Sequence, residues 1–165
     1  MPNWCMNTAT ITGDYATLEA IAEAVKENRL LEYLAPIGEW EYGTAVETWG
    51  TKWDVSAVDW ELNPETQELT LSFDSAWSPP IGAYMKGEER LGISVTAYYY
   101  EPGMWFAGVY ADSEDCFYEI DFNDTSWRED IPQDVIDTWN LEDEYFNHLE
   151  YISEDEDEQE QDDAM

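Results

Sequence analysis

The sequence predicts an α+β fold, and three observations carry that prediction. Of the 165 residues 44% are hydrophobic and 15% aromatic, with nine Trp and eleven Tyr, enough apolar side chain to build a core. β-branched and aromatic runs recur along the chain, separated by Gly, Pro, Asn and Asp. Between them lie segments whose apolar residues return every three or four positions, the spacing of one helix face.

Thr8-Ala9-Thr10-Ile11-Thr12 closes on Gly13 and reads as a first strand. Asp14 then offers a helix N-cap, and Leu18, Ile21, Ala22 and Val25 share one face of the helix that follows. Its other face carries Glu19, Glu23 and Glu27, like charges that oppose one another by a few tenths of a kcal/mol. The stretch 30–51, broken by Pro36, Gly38, Gly43 and Gly50, reads as irregular. Strands are predicted over 55–62 and 68–73, joined by the turn sequence Asn63-Pro64-Glu65-Thr66. Pro79 and Pro80 suit the opening of a second helix that ends near Arg90, with Gly92 as its stop.

Residues 93–100 form the strongest strand signal; Pro102-Gly103 turns it and 105–110 returns. A further strand, 116–122, follows Asp112-Ser113-Glu114-Asp115. It alternates Cys116, Tyr118, Ile120 and Phe122 on a buried side with Phe117, Glu119 and Asp121 on a solvated one. Pro132 opens a helix carrying Val135, Ile136 and Trp139, and Leu141, Tyr145, Leu149 and Ile152 continue the apolar stripe. From Ser153 the chain is nearly all Asp, Glu and Gln, a block expected to be disordered.

Strand, helix, strand, strand, helix, strand is the ferredoxin-like βαββαβ plan. Here an extra antiparallel β-hairpin and a C-terminal helix extend it. The predicted organisation is a ferredoxin-like domain over 1–128, an acidic amphipathic helix over 129–152 packed on it, and a disordered acidic tail over 153–165.

Charge is the strongest functional signal. Thirty-nine Asp and Glu stand against six Lys and Arg, a formal net charge of −33. Residues 91–165 hold no Lys or Arg but Arg128. Duplex DNA carries about one charge per 1.7 Å of axis, so a charge of −33 equals that of roughly 56 Å of duplex. Such a chain repels nucleic acid and anionic membrane surfaces and attracts proteins that bind nucleic acid. No segment has the ~20 apolar residues of a membrane span. The N-terminus, with no basic region or apolar run, does not read as a secretion signal, so Cys5 and Cys116 are expected to stay reduced in a cytoplasmic setting.

Four segments carry a more specific signal. They are Met1-Pro2-Asn3-Trp4-Cys5-Met6-Asn7 with Gly13; Trp49-Gly50-Thr51-Lys52-Trp53-Asp54; Phe73-Asp74-Ser75-Ala76-Trp77-Ser78-Pro79-Pro80; and Tyr100-Glu101-Pro102-Gly103-Met104 with Phe106 and Gly108. Their order and spacing resemble the YubB ferredoxin-like domain family of phages and conjugative plasmids, over roughly residues 1–125. The resemblance implies a ferredoxin-like fold and a mobile-element origin, and it implies no activity. The acidic helix and tail after Arg128 depart from that pattern.

Enzymatic chemistry finds little support. His148 is the only histidine, and nothing ties a nucleophile to it. Asp121-x-Asn123-x-Thr125 begins like a calcium loop, but Ser126 replaces the turn Gly and Pro132 the bidentate Glu. No catalytic residue, metal site or cofactor is expected, and Trp49, Trp53, Trp60 and Trp77 read as core. The chain is expected to be a phage-type inhibitor that mimics nucleic-acid charge and occupies the basic site of a host defence protein of the restriction or CRISPR kind, in the cytoplasm of an infected bacterium. Inhibition of a host transcription or nucleoid protein, or carbohydrate binding or cleavage by an acidic Trp-rich domain, are the alternatives. The acids expected to face the partner are Asp112, Glu114, Asp115, Glu119, Asp121 and Asp124, with Glu142, Asp143, Glu144 and Glu150 on the last helix. They are preferred to the tail because a flexible segment loses affinity on ordering.

Overall fold

The computed structural model describes the backbone of residues 3–163 and side chains as far as Asp155. Its fold is α+β, with a six-stranded antiparallel sheet and six helices among the described residues. Strand β1 (Trp4–Thr12) starts ahead of the predicted 8–12 and buries Cys5, Asn7, Ala9 and Ile11 on one face. Helix α1 (Tyr15–Lys26) buries Leu18, Ile21, Ala22 and Val25 as its periodicity requires. Asp14 occupies the N-cap position, but its side chain makes no capping hydrogen bond.

The stretch 30–51 is not irregular. It forms α2 (Leu30–Leu34) and α3 (Tyr42–Trp49). The single turn of α2 is held from a distance: the Asp54 carboxylate accepts the N–H groups of Leu31 and Glu32 at 2.8 and 3.0 Å. That satisfies two donors a short helix leaves orphaned, and no local pattern announces it. α3 ends where Gly50 takes a left-handed φ of 88°, a conformation that costs glycine nothing.

β2 (Ala57–Asn63) and β3 (Glu68–Ala76) form a hairpin in which the side-chain Oδ1 of Asn63 accepts the N–H groups of Glu65 and Thr66. α4 (Ile81–Leu91) starts after Pro80 and stops at Gly92, φ 64°. β4 (Ser94–Glu101), β5 (Phe106–Ala111) and β6 (Glu114–Glu119) complete a sheet ordered β2-β3-β1-β4-β5-β6. β1 lies inside it, opposite β3 through Cys5↔Ser75 and Ile11↔Leu69 and opposite β4 through Ile11↔Val95. Odd-numbered residues of these strands meet the helices in one core, with Leu18, Ile21, Leu34, Trp49, Phe73 and Val95 buried together.

The chain divides into two compact units, Met1–Glu119 and Ile120–Met165. The sequence places this boundary after Arg128, but Phe122 and Trp127 build the second unit's own aromatic core with Tyr145. Phe122 stands edge-on to Trp127 at 5.0 Å, and Trp127 lies 5.5 Å from Tyr145. In this unit a 3₁₀ turn (Trp127–Asp130) leads to α5 (Gln133–Trp139) and α6 (Leu141–Asp163), which are separated by Asn140 in a left-handed φ of 53°.

The backbone of α6 is helical to Asp163, through the segment for which the sequence predicts disorder from Ser153. Glu and Gln have good intrinsic helix propensity, and like-charge pairs on a helix cost only about 0.2–0.5 kcal/mol each. No helix among the described residues is long and apolar enough to cross a membrane.

Candidate acidic interface

The acids expected to face a partner divide between the two units. Asp112, Glu114, Asp115 and Glu119 belong to the β5–β6 hairpin of the first. Ala111 pairs with Glu114, so Asp112 and Ser113 form a two-residue turn, and both take positive φ, 53° and 60°. That is the turn geometry whose twist suits a hairpin, usually made with Asn or Gly. All four acids are exposed. The pleat separates them: Asp115 and Glu119 stand on the helix-bearing face with Phe117, while Glu114 stands on the other with Cys116 and Tyr118.

Two tyrosines fix this hairpin to the body. The Tyr99 hydroxyl donates to Asp115 Oδ1 at 2.6 Å. It crosses directly over Gly108, where a Cβ would lie 2.3 Å from Tyr99 Oη and 2.4 Å from the Cys116 carbonyl oxygen. Only glycine permits that passage. Burial, reinforced by the hydrogen bond and charge of Asp115, raises the Tyr99 phenol well above its ordinary pKa, so it stays a donor. On α4, Glu88 accepts from the Tyr110 hydroxyl, from Ser113 Oγ at 3.2 Å and from the Val95 N–H at 3.1 Å. The hairpin acids therefore stand on a scaffold pinned at its turn and along its length.

In the second unit Asp121 and Asp124 are turn residues. Asp121 accepts the Asn123 N–H, and Asp124 accepts both the N–H and hydroxyl of Ser126, which lowers its pKa. Glu142 is not a free acid. Arg128 donates to it through Nε at 2.6 Å and Nη2 at 2.5 Å, while the guanidinium lies 4.7 Å over Trp127 and 5.0 Å over Tyr145. Asp143 accepts from Asn140 Nδ2 at 2.7 Å, Glu144 is half-buried and Glu150 is exposed. His148 meets Asn123 Oδ1 at 3.2 Å and packs 6.0 Å from the Phe122 ring, a structural placement.

The Arg128 pair makes this unit sensitive to acid. The hydrogen bonds and charge of Arg128 hold the Glu142 carboxyl below the usual glutamate range. A depressed folded-state pKa contributes stability above the unfolded value, lost as pH falls through the folded one. Acidification below the ordinary glutamate range, about 4.3, should therefore release Arg128 from Glu142. A pH titration of the Arg128 Nε–H signal by NMR checks it. In Glu142→Gln that step should vanish, and a step that survives the substitution would assign it to another group.

No protein-family model, curated protein or solved structure matches this chain. The four tryptophan- and glycine-bearing segments of the sequence, Gly13 apart, come together at one end of the sheet. Trp4 pairs with Ala76, and the Trp77 N–H donates to the Asn3 carbonyl at 2.8 Å. Thr51 Oγ1 donates to the Ala76 carbonyl at 2.8 Å, and Ser78 Oγ to that of Gly50 at 2.5 Å. Met6 pairs with Tyr100, and buried Glu101 accepts the N–H groups of Gly103 and Met104 at 2.5 and 2.8 Å. Glu101→Gln turns one of those acceptors into a donor facing a donor. It is expected to destabilise the first unit by about 2 kcal/mol, read as a lower urea midpoint at unchanged slope.

The tryptophans divide where the sequence expects most of them, Trp49, Trp53, Trp60 and Trp77 among them, in the core. Trp49 is buried, 2% exposed, with its indole N–H donating to the Ala35 carbonyl at 2.8 Å. Trp53 and Trp60 are half-buried. Trp77 is 42% exposed and Trp4 43% exposed. Trp77 follows the last residue of β3 at a positive φ of 66°, which turns its ring out of the core. Its neighbour in space is Lys52, whose ammonium lies 5.2 Å over the Trp77 ring and 4.6 Å over that of Trp53. The lysine set directly beside Trp53 in sequence was the one available signal of this surface cluster.

Proposed function

We propose that this chain is an acidic nucleic-acid mimic of phage or plasmid type, which inhibits a host defence protein by occupying its basic DNA or RNA site. One observation carries the reading: a net charge of −33 borne on an ordered scaffold with almost no internal compensation. Among the described residues the ion pairs are Lys26–Glu23, Arg29–Glu27, Lys86–Glu89 and Arg128–Glu142. The hairpin carboxylates of Asp112, Glu114 and Glu119 have no cation among them. Self-repulsion of this size opposes folding, so it needs a use outside the fold.

The strand order β2-β3-β1-β4, with α1 on one crossover and α4 on the other, supports a ferredoxin-like core. β5 and β6 then extend it beyond β4 and carry the acidic hairpin outward. The mobile-element origin is suggested by the four sequence segments. Restriction enzymes and CRISPR effectors are the leading targets, since they hold nucleic acid in basic channels, and the bacterial cytoplasm is where they act.

Capture from bacterial lysate on the immobilised chain tests the reading. It should return nucleic-acid-binding proteins and lose them as salt rises, because the attraction is screened over about 10 Å at 0.1 M and about 3 Å at 1 M. Recovery of neutral or acidic partners that ignore salt would contradict mimicry. A captured transcription or nucleoid protein would keep the mechanism and change the target.

A further inference from the structure

We propose that the tryptophan cleft at the motif end of the sheet, beside the Trp53 ring over which Lys52 already lies, is an arginine-binding anchor for the basic partner. The inference rests on the mimicry reading for the nature of the partner, and on the geometry of the cleft for its place. Trp4, Trp53, Val55, Asp54 and Asp74 line an open cleft of about 240 Å³. Trp4 and Trp53 pack on each other along its lining, ring centroids 6.1 Å apart and tilted by 45°. Trp77 continues the aromatic surface beyond Trp53 through the shared ammonium of Lys52.

Lys52 reports what this surface binds. In a chain with thirty-nine carboxylates, its ammonium makes no ion pair among the described residues and lies over two indole rings instead. Indole faces attract cations through the ring quadrupole, and a planar guanidinium stacks on them better than an ammonium does. Lys52 lies over Trp53 without lining the cleft, so it shows the affinity of these rings for a cation and leaves the cleft open.

The acids of the cleft play different parts. Both oxygens of Asp54 are occupied by the backbone N–H groups of Leu31, Glu32 and Val55. Asp74 is exposed and lies opposite Met6 on the strand beside Trp4. It is the carboxylate placed to receive an arginine stacked on Trp4 and Trp53. A second copy of this chain is a poor occupant, because two surfaces of such negative charge repel. Aromatic anchors of this kind, ringed by weaker contacts, carry most of the energy of protein interfaces.

The test uses the full chain and an oligoarginine peptide in about 1 M salt, where the screening length is about 3 Å and general attraction to the acidic surface is suppressed. The indole N–H signals of Trp4 and Trp53 should move on titration. Asp74→Asn and Trp4→Ala should weaken binding about tenfold, while Lys52→Met, outside the cleft lining, should leave it within about threefold. Both charge variants alter exposed ends of side chains, so folding is not at issue, and unchanged thermal unfolding verifies it. Unmoved indole signals would overturn the proposal. So would equal affinity in all variants, movement by a neutral oligosaccharide in place of oligoarginine, or self-association lost in Trp4→Ala. Lysate capture separates the two readings. Basic partners retained by Trp4→Ala and Asp74→Asn would sink the cleft and spare mimicry. Oligoarginine binding without capture of any nucleic-acid-binding protein would do the reverse.

Discussion

Replacing Asp112, Glu114 and Glu119 together by lysine is expected to slow association with the basic partner by about a hundredfold, the middle of the range for electrostatically steered encounters. These three acids are exposed and lie on one hairpin, and their carboxylates do not hold it, although Asp112 takes the left-handed turn conformation, so unchanged thermal unfolding is the control for the variant. Asp115 is left out because Tyr99 donates to it, and Glu142 because Arg128 already neutralises it. The loss should fall on the association rate and shrink in high salt, while dissociation changes little. Stopped-flow or surface-binding kinetics on the captured partner checks it. Truncation after Ser153 is the companion variant, and it should leave most of the rate intact. An essential tail with a dispensable hairpin would make the chain an acidic decoy of a different kind.

Trp49→Ala is expected to cost the first unit about 4 kcal/mol, the usual range for removing a buried large aromatic. The indole fills the core beside Ala45 and Leu34, and its N–H satisfies the Ala35 carbonyl. Removing it opens a cavity and orphans that carbonyl together. It also loosens the segment Gly50–Lys52 that follows, so the indole signals of Trp53 and Trp77 should broaden before global unfolding. Thermal and urea denaturation measure the first effect. A loss below about 1 kcal/mol would mean that the site collapses to fill the space.

The legible parts of the fold were those set by local pattern. Leu18, Ile21, Ala22 and Val25 gave α1, Pro80 and Gly92 bracketed α4, and Asn63 made its turn. What escaped depends on partners distant in sequence. α2 is capped by Asp54, β1 begins at Trp4 because Ala76 pairs with it, and Phe122 joins Tyr145 to move the unit boundary. The site was legible as charge but not as geometry. Sequence places ten acids near one another along the chain; it does not tell that Arg128 closes on Glu142, that the pleat sends Glu114 and Glu119 to opposite faces, or that Tyr99 reaches Asp115 across Gly108. Trp77 escaped for a different reason. A tryptophan at the end of a strand reads as core until its positive φ turns it outward.

Competition with nucleic acid tests the central claim most directly. With a captured partner purified, affinity for this chain is measured at rising concentrations of the duplex or RNA that the partner binds. Occupation of the same basic site predicts that the apparent Kd rises in proportion to nucleic acid, without a ceiling, and that the chain strips bound nucleic acid from the partner. An affinity unchanged in saturating nucleic acid, with a ternary complex forming, would contradict mimicry.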